Sequence, residues 1–237
     1  SDLVVEAARS ALAAAGVEAG DHVTVVDDLS TGKRSCFLDL NDESEAAQLR
    51  ELVRTADVFS QGYRPGVLAN RGFGPADLAA LRPGLVYASI SCFGPSGPYQ
   101  DRAGWEQIAQ CMVGICHDSG HEKPTLLPIP ACDYLTGYLG AYGILVALAR
   151  RAVEGGSYHV NVSLCQSGMF LYRQGRVAYE DQDMGLSPDE VAPMRLEWDS
   201  PYGTIRSLGP VTSYSESNPH YRSPPPALGS ARPIWLS

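Results

Sequence analysis

The stretch with the clearest chemical potential is Pro128-Ile129-Pro130-Ala131-Cys132-Asp133-Tyr134-Leu135-Thr136-Gly137. A proline-bounded extended segment runs there into a long apolar run, and Asp133 stands at the junction. Asp is a preferred N-cap, so the placement predicts Asp133 as the cap of a helix over residues 134–153. As a cap alone it does no chemistry. The same geometry also favours an ionised carboxylate, because a helix start offers free amides and the positive end of the dipole. An ionised, fixed carboxylate can attack an activated acyl group and form a mixed anhydride. Capping and nucleophilic attack both remain open from these residues alone.

Other candidate groups are fewer. Lys33 and Arg34 are adjacent cations in the polar stretch Ser30-Thr31-Gly32-Lys33-Arg34, and Arg64 follows Tyr63 at the start of a loop. The net charge of −9 and the lack of a basic stripe argue against a general nucleic-acid binder, while a local cationic patch can still hold a phosphate. The cluster Cys111-x4-Cys116-His117-x3-His121 matches no strong zinc spacing, and no metal is expected. The six cysteines (Cys36, Cys92, Cys111, Cys116, Cys132 and Cys165) sit inside apolar segments, as reduced thiols of a cytoplasmic protein do. The first residues carry acids and alanines instead of a charged start and an apolar core, so no signal peptide is expected.

These groups need elements to position them. With 237 residues, 44% apolar and 19% charged, the composition is that of a globular chain. Residues 3–15 read as an alanine-rich helix, 22–26 as a short strand and 35–40 as a second strand. Asn41 or Asp42 can cap a helix over 43–55, and a strand over 57–60 follows. This β–α–β order with short links argues for a parallel sheet covered by helices. A loop over 61–74 contains Tyr63-Arg64-Pro65-Gly66. Then come a short helix over 75–81, a strand over 85–90, and the glycine–proline loop Ser91-Cys92-Phe93-Gly94-Pro95-Ser96-Gly97-Pro98-Tyr99. Such a loop is either a set of turns or a ligand-binding edge, since open α/β sheets bind ligands at the carboxyl ends of their strands.

Residues 105–115 read as a helix, and 134–153 as a buried core helix far sooner than a membrane span. Gly137, Gly140 and Gly143 lie along one stripe of it, which predicts the close approach of another backbone or a flat ligand. Residues 158–164 alternate as a strand, with His159 a solvated strand residue. After about residue 175 the prolines cluster, and Tyr202, Tyr214, Tyr221 and Trp235 give an extended arm apolar surface to bury. The expected division is therefore an α/β domain over residues 1–175 and a proline-rich C-terminal arm over 176–237.

Several segments together resemble the family III CoA-transferases, the group of formyl-CoA transferase, carnitine CoA-transferase and α-methylacyl-CoA racemase. They are Gly32-Lys33-Arg34-Ser35 with Leu38-Asp39-Leu40; Ala56-Asp57-Val58 leading to Tyr63-Arg64-Pro65-Gly66-Val67-Leu68; and Leu85-Val86-Tyr87-Ala88-Ser89-Ile90-Ser91 with Phe93-Gly94 and Gly97-Pro98-Tyr99. Asp101-Arg102-Ala103-Gly104, Gln107-Ile108-Ala109-Gln110, Pro130-x2-Asp133 and Val160-Asn161-Val162-Ser163-Leu164 complete an ordered set from about residue 32 to 165.

The resemblance implies a Rossmann-like α/β domain and an acyl-CoA substrate with a carboxylate acceptor. Asp133 matches the acyl-accepting aspartate. Lys33, Arg34, Tyr63, Arg64, Pro65, Ser91, Gly94, Gly97, Tyr99 and Arg102 fall in stretches that line CoA. It also implies dimers whose chains thread through one another, or a heteromer with a related half, and neither a nucleic-acid nor a membrane partner. Racemases of the family carry His and then Asp where this chain has Trp105 and Glu106, which argues against racemisation and leaves Glu106 as the alternative base of an isomerase. The family's opening strand has no clear match before residue 20, and its further domain is missing after the strand at 158–164. A shortened or half-length member is the resulting expectation, either active or holding acyl-CoA without turnover beside a sister subunit.

Overall fold

The computed structural model describes residues 22–26, 33–118, 122–176, 185–210, 215–216, 220–221 and 223–235. The expected helix over 3–15 lies outside them. The described residues form two compact units, one within Val53–Ala178 and the other joining Leu3–Leu52 to Tyr179–Ser237. The expected arm thus shares a unit with the first strands.

The unit within Val53–Ala178 is built on three parallel strands. β3 (Val58–Gln61), β4 (Val86–Ser91) and β5 (Tyr158–Ser163) lie side by side in that order, with Val58 opposite Val86 and Val86 opposite Tyr158. This is the parallel sheet that the sequence pattern predicts. Between β3 and β4 runs α2 (Pro75–Leu81), whose Pro75 gives up no needed N–H in a first turn. After β4 come α3 (Glu106–Met112) and α4 (Ala131–Glu154), and after β5 comes α5 (Leu164–Arg173). Ser163 caps α5, its side chain accepting from the Gln166 amide at 3.3 Å.

The glycine stripe fixes the direction of α4. A Cβ added at Gly143 would come within 2.8 Å of Val160 Cγ1, and one at Gly140 within 3.4 Å of Val162 Cγ2. Falling numbers on the helix meet rising numbers on β5, so the two run antiparallel. At the far end, Arg151 donates to Asp57 Oδ1 at 2.9 Å and to the Gly84 carbonyl at 3.0 Å, just before β3 and β4 begin. The start of α4 therefore lies at the carboxyl edge of the sheet, the edge from which the 91–99 loop leaves β4. Gly137 has no such neighbour, and at Gly140 and Gly143 the close neighbours are valine side chains of β5, not the backbone or flat ligand expected.

α4 is not the buried helix expected. Cys132, Thr136, Gly140 and Ala147 are buried, whereas Tyr138 and Tyr142 are 65% and 68% exposed. The small residues form the packing stripe, and the tyrosines, apolar in composition, stand on the other side. By length and composition alone α4 is apolar enough to cross a membrane.

In the second unit, β1 (His22–Val26) pairs antiparallel with β2 (Lys33–Phe37), Val25 opposite Arg34. This corrects two expectations. The strand comes earlier than 35–40, and it pairs antiparallel with β1 in a sheet of its own instead of joining the parallel sheet, as strands only six residues apart in sequence can do. α1 (Glu43–Thr55) starts behind Asp42, whose Oδ1 accepts from the Ser44 and Glu45 amides at 2.8 and 3.2 Å. The tail is more ordered than an extended arm. α6 (Pro188–Val191) is followed by an antiparallel hairpin of β6 (Arg195–Ser200) and β7 (Gly203–Leu208). Its signal was the alternation of exposed Arg195, Glu197 and Asp199 with half-buried Leu196 and Trp198. Beyond it the chain lies along β2: Ala231 N donates to Ser35 O at 2.8 Å, and Gly229 N to Ser35 Oγ at 3.0 Å. Trp235 Nε1 reaches the Leu52 carbonyl at 3.1 Å.

Candidate functional site

Asp133 is the third helical residue of α4 and not its N-cap. Pro130 holds the cap position, and proline has no side-chain acceptor to offer a helix start. Acceptors must then come from elsewhere, and Glu106 supplies them. Its Oε2 accepts from the Asp133 amide at 2.6 Å and its Oε1 from the Cys132 amide at 3.1 Å. Glu106 is only 5% exposed. Gln110, one turn further along α3, donates to Glu106 Oε1 at 2.6 Å and to the Ile129 carbonyl at 3.3 Å. Its own Oε1 accepts from the Leu127 amide at 2.8 Å, so one buried amide group ties the approach to α4 and the carboxylate together.

The remaining amides of that turn are engaged as well. Ala131 N donates to Ile129 O at 2.9 Å and Tyr134 N to Pro130 O at 3.1 Å. The first turn of α4 thus has no spare amide for a developing oxyanion. This corrects the expectation that a helix start brings open donors, which holds only when no carboxylate already occupies them.

Thiols surround the base of Asp133 without competing with it. Burial, reinforced by the Glu106 charge, pushes the Cys132 thiol up to about 12. Cys92 is raised further, first by its hydrogen bond with Cys165 and then by burial. Both stay protonated at neutral pH, and the thiol is a poor nucleophile beside a carboxylate. Cys111 and Cys116 bring their sulfurs within 3.6 Å of each other, while His121 lies outside the described residues. His159 is exposed on β5 and shares a 2.9 Å hydrogen bond with Ser89.

Along the same sheet edge stand the loops after β3 and β4. Tyr63 is anchored through its amide to Gln61 Oε1 at 2.8 Å, and Arg64 and Pro65 next to it are exposed. Ser91 ends β4, and its Oγ accepts from Gly94 N at 3.0 Å. Gly94 and Gly97 hold φ values of 92° and 96°, a left-handed conformation that side chains resist. Tyr99 packs on Phe93 at 5.5 Å between centroids, with the Arg102 guanidinium 4.9 Å over its ring. Asp133, Glu106, Ser91, Gly94, Gly97, Tyr99, Arg102 and the Tyr63-Arg64-Pro65 turn therefore belong to one unit. Lys33 and Arg34 belong to β2 in the other. Sequence reasoning missed Gln110; its signal was the i, i+4 spacing of Glu106 and Gln110, which puts both on one face of the helix.

The family model for CoA-transferase family III matches residues 7–192. The chain belongs to that family. This family III chain is 33% identical to an acyl-CoA transferase of Gibberella moniliformis, over 83% of its own length and 42% of the relative's. It is also 33% identical to the succinyl-CoA–L-malate CoA-transferase beta subunit of Chloroflexus aurantiacus, over 62% of this chain and 37% of that one. The chain thus spans less than half the length of these relatives. Among solved structures, Rv3272 of Mycobacterium tuberculosis matches at 30% identity with a TM-score of 0.58, over 61% of this chain and 42% of that one. A variant of the same protein matches at a TM-score of 0.71 over 85% and 81% of the two chains, at 18% identity, a likeness of fold.

Proposed function

We propose that this family III chain carries the acyl-accepting site of a CoA-transferase that moves CoA between an acyl-CoA and a carboxylic acid. The Asp133 carboxylate attacks the thioester carbonyl carbon, the C–S bond breaks, and an aspartyl–acyl anhydride and CoA thiolate result. Thiolate attack on the aspartyl carbonyl frees the donor acid, and the acceptor carboxylate enters by the reverse steps. The observation that carries this reading is a half-buried aspartate, fixed through its amide in the first turn of α4 at the carboxyl edge of the parallel sheet. Incubation with acetyl-CoA or succinyl-CoA, hydroxylamine quenching and mass spectrometry tests it. A hydroxamate at Asp133 is expected, and its absence with both thioesters overturns the proposal.

CoA itself is the small molecule the site takes, with no metal in the reading. Arg64 is proposed to meet its phosphates. A charge-assisted hydrogen bond to phosphate contributes about 1.5–3 kcal/mol, so Arg64→Ala is expected to weaken CoA binding by about tenfold or more in calorimetric titration. Unchanged affinity in Arg64→Ala removes it from the site. A cytoplasmic setting suits the six thiols.

The second reading, an acyl-CoA-holding half that works beside a partner subunit, is favoured by one observation. The first turn of α4 has its amides engaged, so donors for an oxyanion must come from another segment or another chain. The same holds for the assembly: a homodimer or a heteromer with a related half is proposed, and exposed Tyr134, Tyr138, Tyr142 and Leu145 on α4 offer surface for it. Sedimentation at micromolar concentration is expected to show a dimer or a complex with its sister chain. A stable monomer refutes the proposal. Isomerase action through Glu106 is the weaker alternative, since both its carboxylate oxygens are occupied by amide donors.

A further inference from the structure

The geometry points to Glu106 as a positioning residue for Asp133, acting through the backbone of α4 and never touching the acyl group. The inference rests on the reading of Asp133 as the acyl acceptor. Glu106 stands 27 residues before Asp133, on a different helix, yet its carboxylate is bonded to the amide of Asp133 itself and to that of Cys132. The side chain of an N3 residue projects from the Cα next to that amide. Fixing the amide fixes the direction from which the carboxylate leaves the helix.

Three features make this more than a helix cap. First, the cap is supplied from outside because Pro130 cannot provide one, so the position of Asp133 depends on where α3 lies. Second, Glu106 is itself held: Gln110 bonds it, and bonds the 127–129 segment that delivers the chain to α4. Two side chains one helical turn apart thus set the entry of α4 and the orientation of its third residue together. Third, two carboxylates meet at one helix start. Glu106 occupies the Cys132 and Asp133 amides, so these two donors are already committed and the turn that carries Asp133 is held by the other carboxylate.

The test is Glu106→Gln in the full chain. Glutamine keeps the size of the side chain but turns an N–H2 group toward one of the two amides, where an acceptor is needed. Three measurements separate the outcomes. Hydrogen exchange of peptides spanning residues 131–134 reads the amides directly, and protection is expected to fall in the variant. CoA affinity is expected to stay within about twofold, since Glu106 does not touch the ligand. Labelling of Asp133 by acetyl-CoA or succinyl-CoA is expected to slow about 10- to 100-fold, the loss associated with a displacement on the ångström scale. A merely structural role would lower affinity and thermal stability together instead of the labelling rate alone. Wild-type protection, or wild-type labelling rates, in Glu106→Gln overturns the inference. So does incorporation of solvent deuterium at the α-carbon of the acyl group by the wild type that is lost in the variant, which makes Glu106 a base. If neither protein is labelled, the reading of Asp133 fails, and the exchange data alone decide whether Glu106 holds the helix.

Discussion

Asp133→Asn is expected to fold as the wild type does and to lose acyl transfer by several orders of magnitude. The amide nitrogen of asparagine cannot form the anhydride, so the covalent route closes while the shape of the side chain stays. Stability changes little for a reason visible in the structure. Asp133 is at the third position of α4 and its side chain is not the cap; Glu106 holds the turn through backbone amides, which the substitution leaves in place. What is lost is the favourable placement of a negative charge in a first helical turn, about 0.3–1 kcal/mol. Chemical denaturation and a transfer assay with the hydroxamate trap measure the two effects separately. Full activity in the variant, with no adduct at position 133 in the wild type, makes the aspartate a structural residue and ends the covalent proposal.

The second large effect is expected at Gly104→Ala. An added Cβ would lie 2.4 Å from Cys92 Sγ, 2.8 Å from Cys92 Cβ and 3.1 Å from Phe93 Cε2. Cys92 is buried in the cluster of Ala109, Val113, Cys132 and Leu164, so it has nowhere to retreat. Overpacking of this kind costs about 1–3 kcal/mol, read as a lower denaturant midpoint. Gly104 also precedes Trp105 and Glu106, so the strain falls on the start of α3 and on the carboxylate that holds α4. Gly137→Ala is the control. It sits in α4 with open space around it, and removing a helical glycine there is expected to stabilise by up to about 1 kcal/mol. Equal stability in the two variants would mean that the chain does not pack residue 104 against Cys92.

Where local chemistry decides an element, the sequence is readable to the residue. α1 spans Glu43–Thr55 because Asp42 caps it, and α2 spans Pro75–Leu81 because Pro75 opens it. The order of β3, β4 and β5 follows from helices of sufficient length between them. The parallel sheet and its ligand-bearing edge are legible for that reason. What resists reading is contact between residues distant in the chain. Nothing near Glu106 says that it bonds amides 26 and 27 positions away. Asp133 looks like a cap because the rule for caps is local, and the rule fails when a buried side chain from another helix has already supplied the acceptors. The partner of β2 is hidden for a similar reason: its residue pattern is the same whichever neighbour it takes, and the structure pairs it with β1. The β6–β7 hairpin lay hidden because a proline-rich composition around it masked a clean two-residue period.

The way the tail returns to β2 also sets an order of events in folding. The unit that carries Asp133 is complete once residues up to 178 exist. The other unit is joined by hydrogen bonds between residues 183 and 194 positions apart, the tryptophan at 235 to Leu52 and Gly229 to Ser35. Contacts of such long range form late, because the closure of the loop between them must be met before they stabilise anything. Until residues 229–231 arrive, β2 has β1 on one side and an open row of backbone donors and acceptors on the other. An open strand edge of this kind is where nascent chains pair with the wrong neighbour. Residues 229–231 therefore act as a closing strip along β2, and before they dock that edge is open to mispairing.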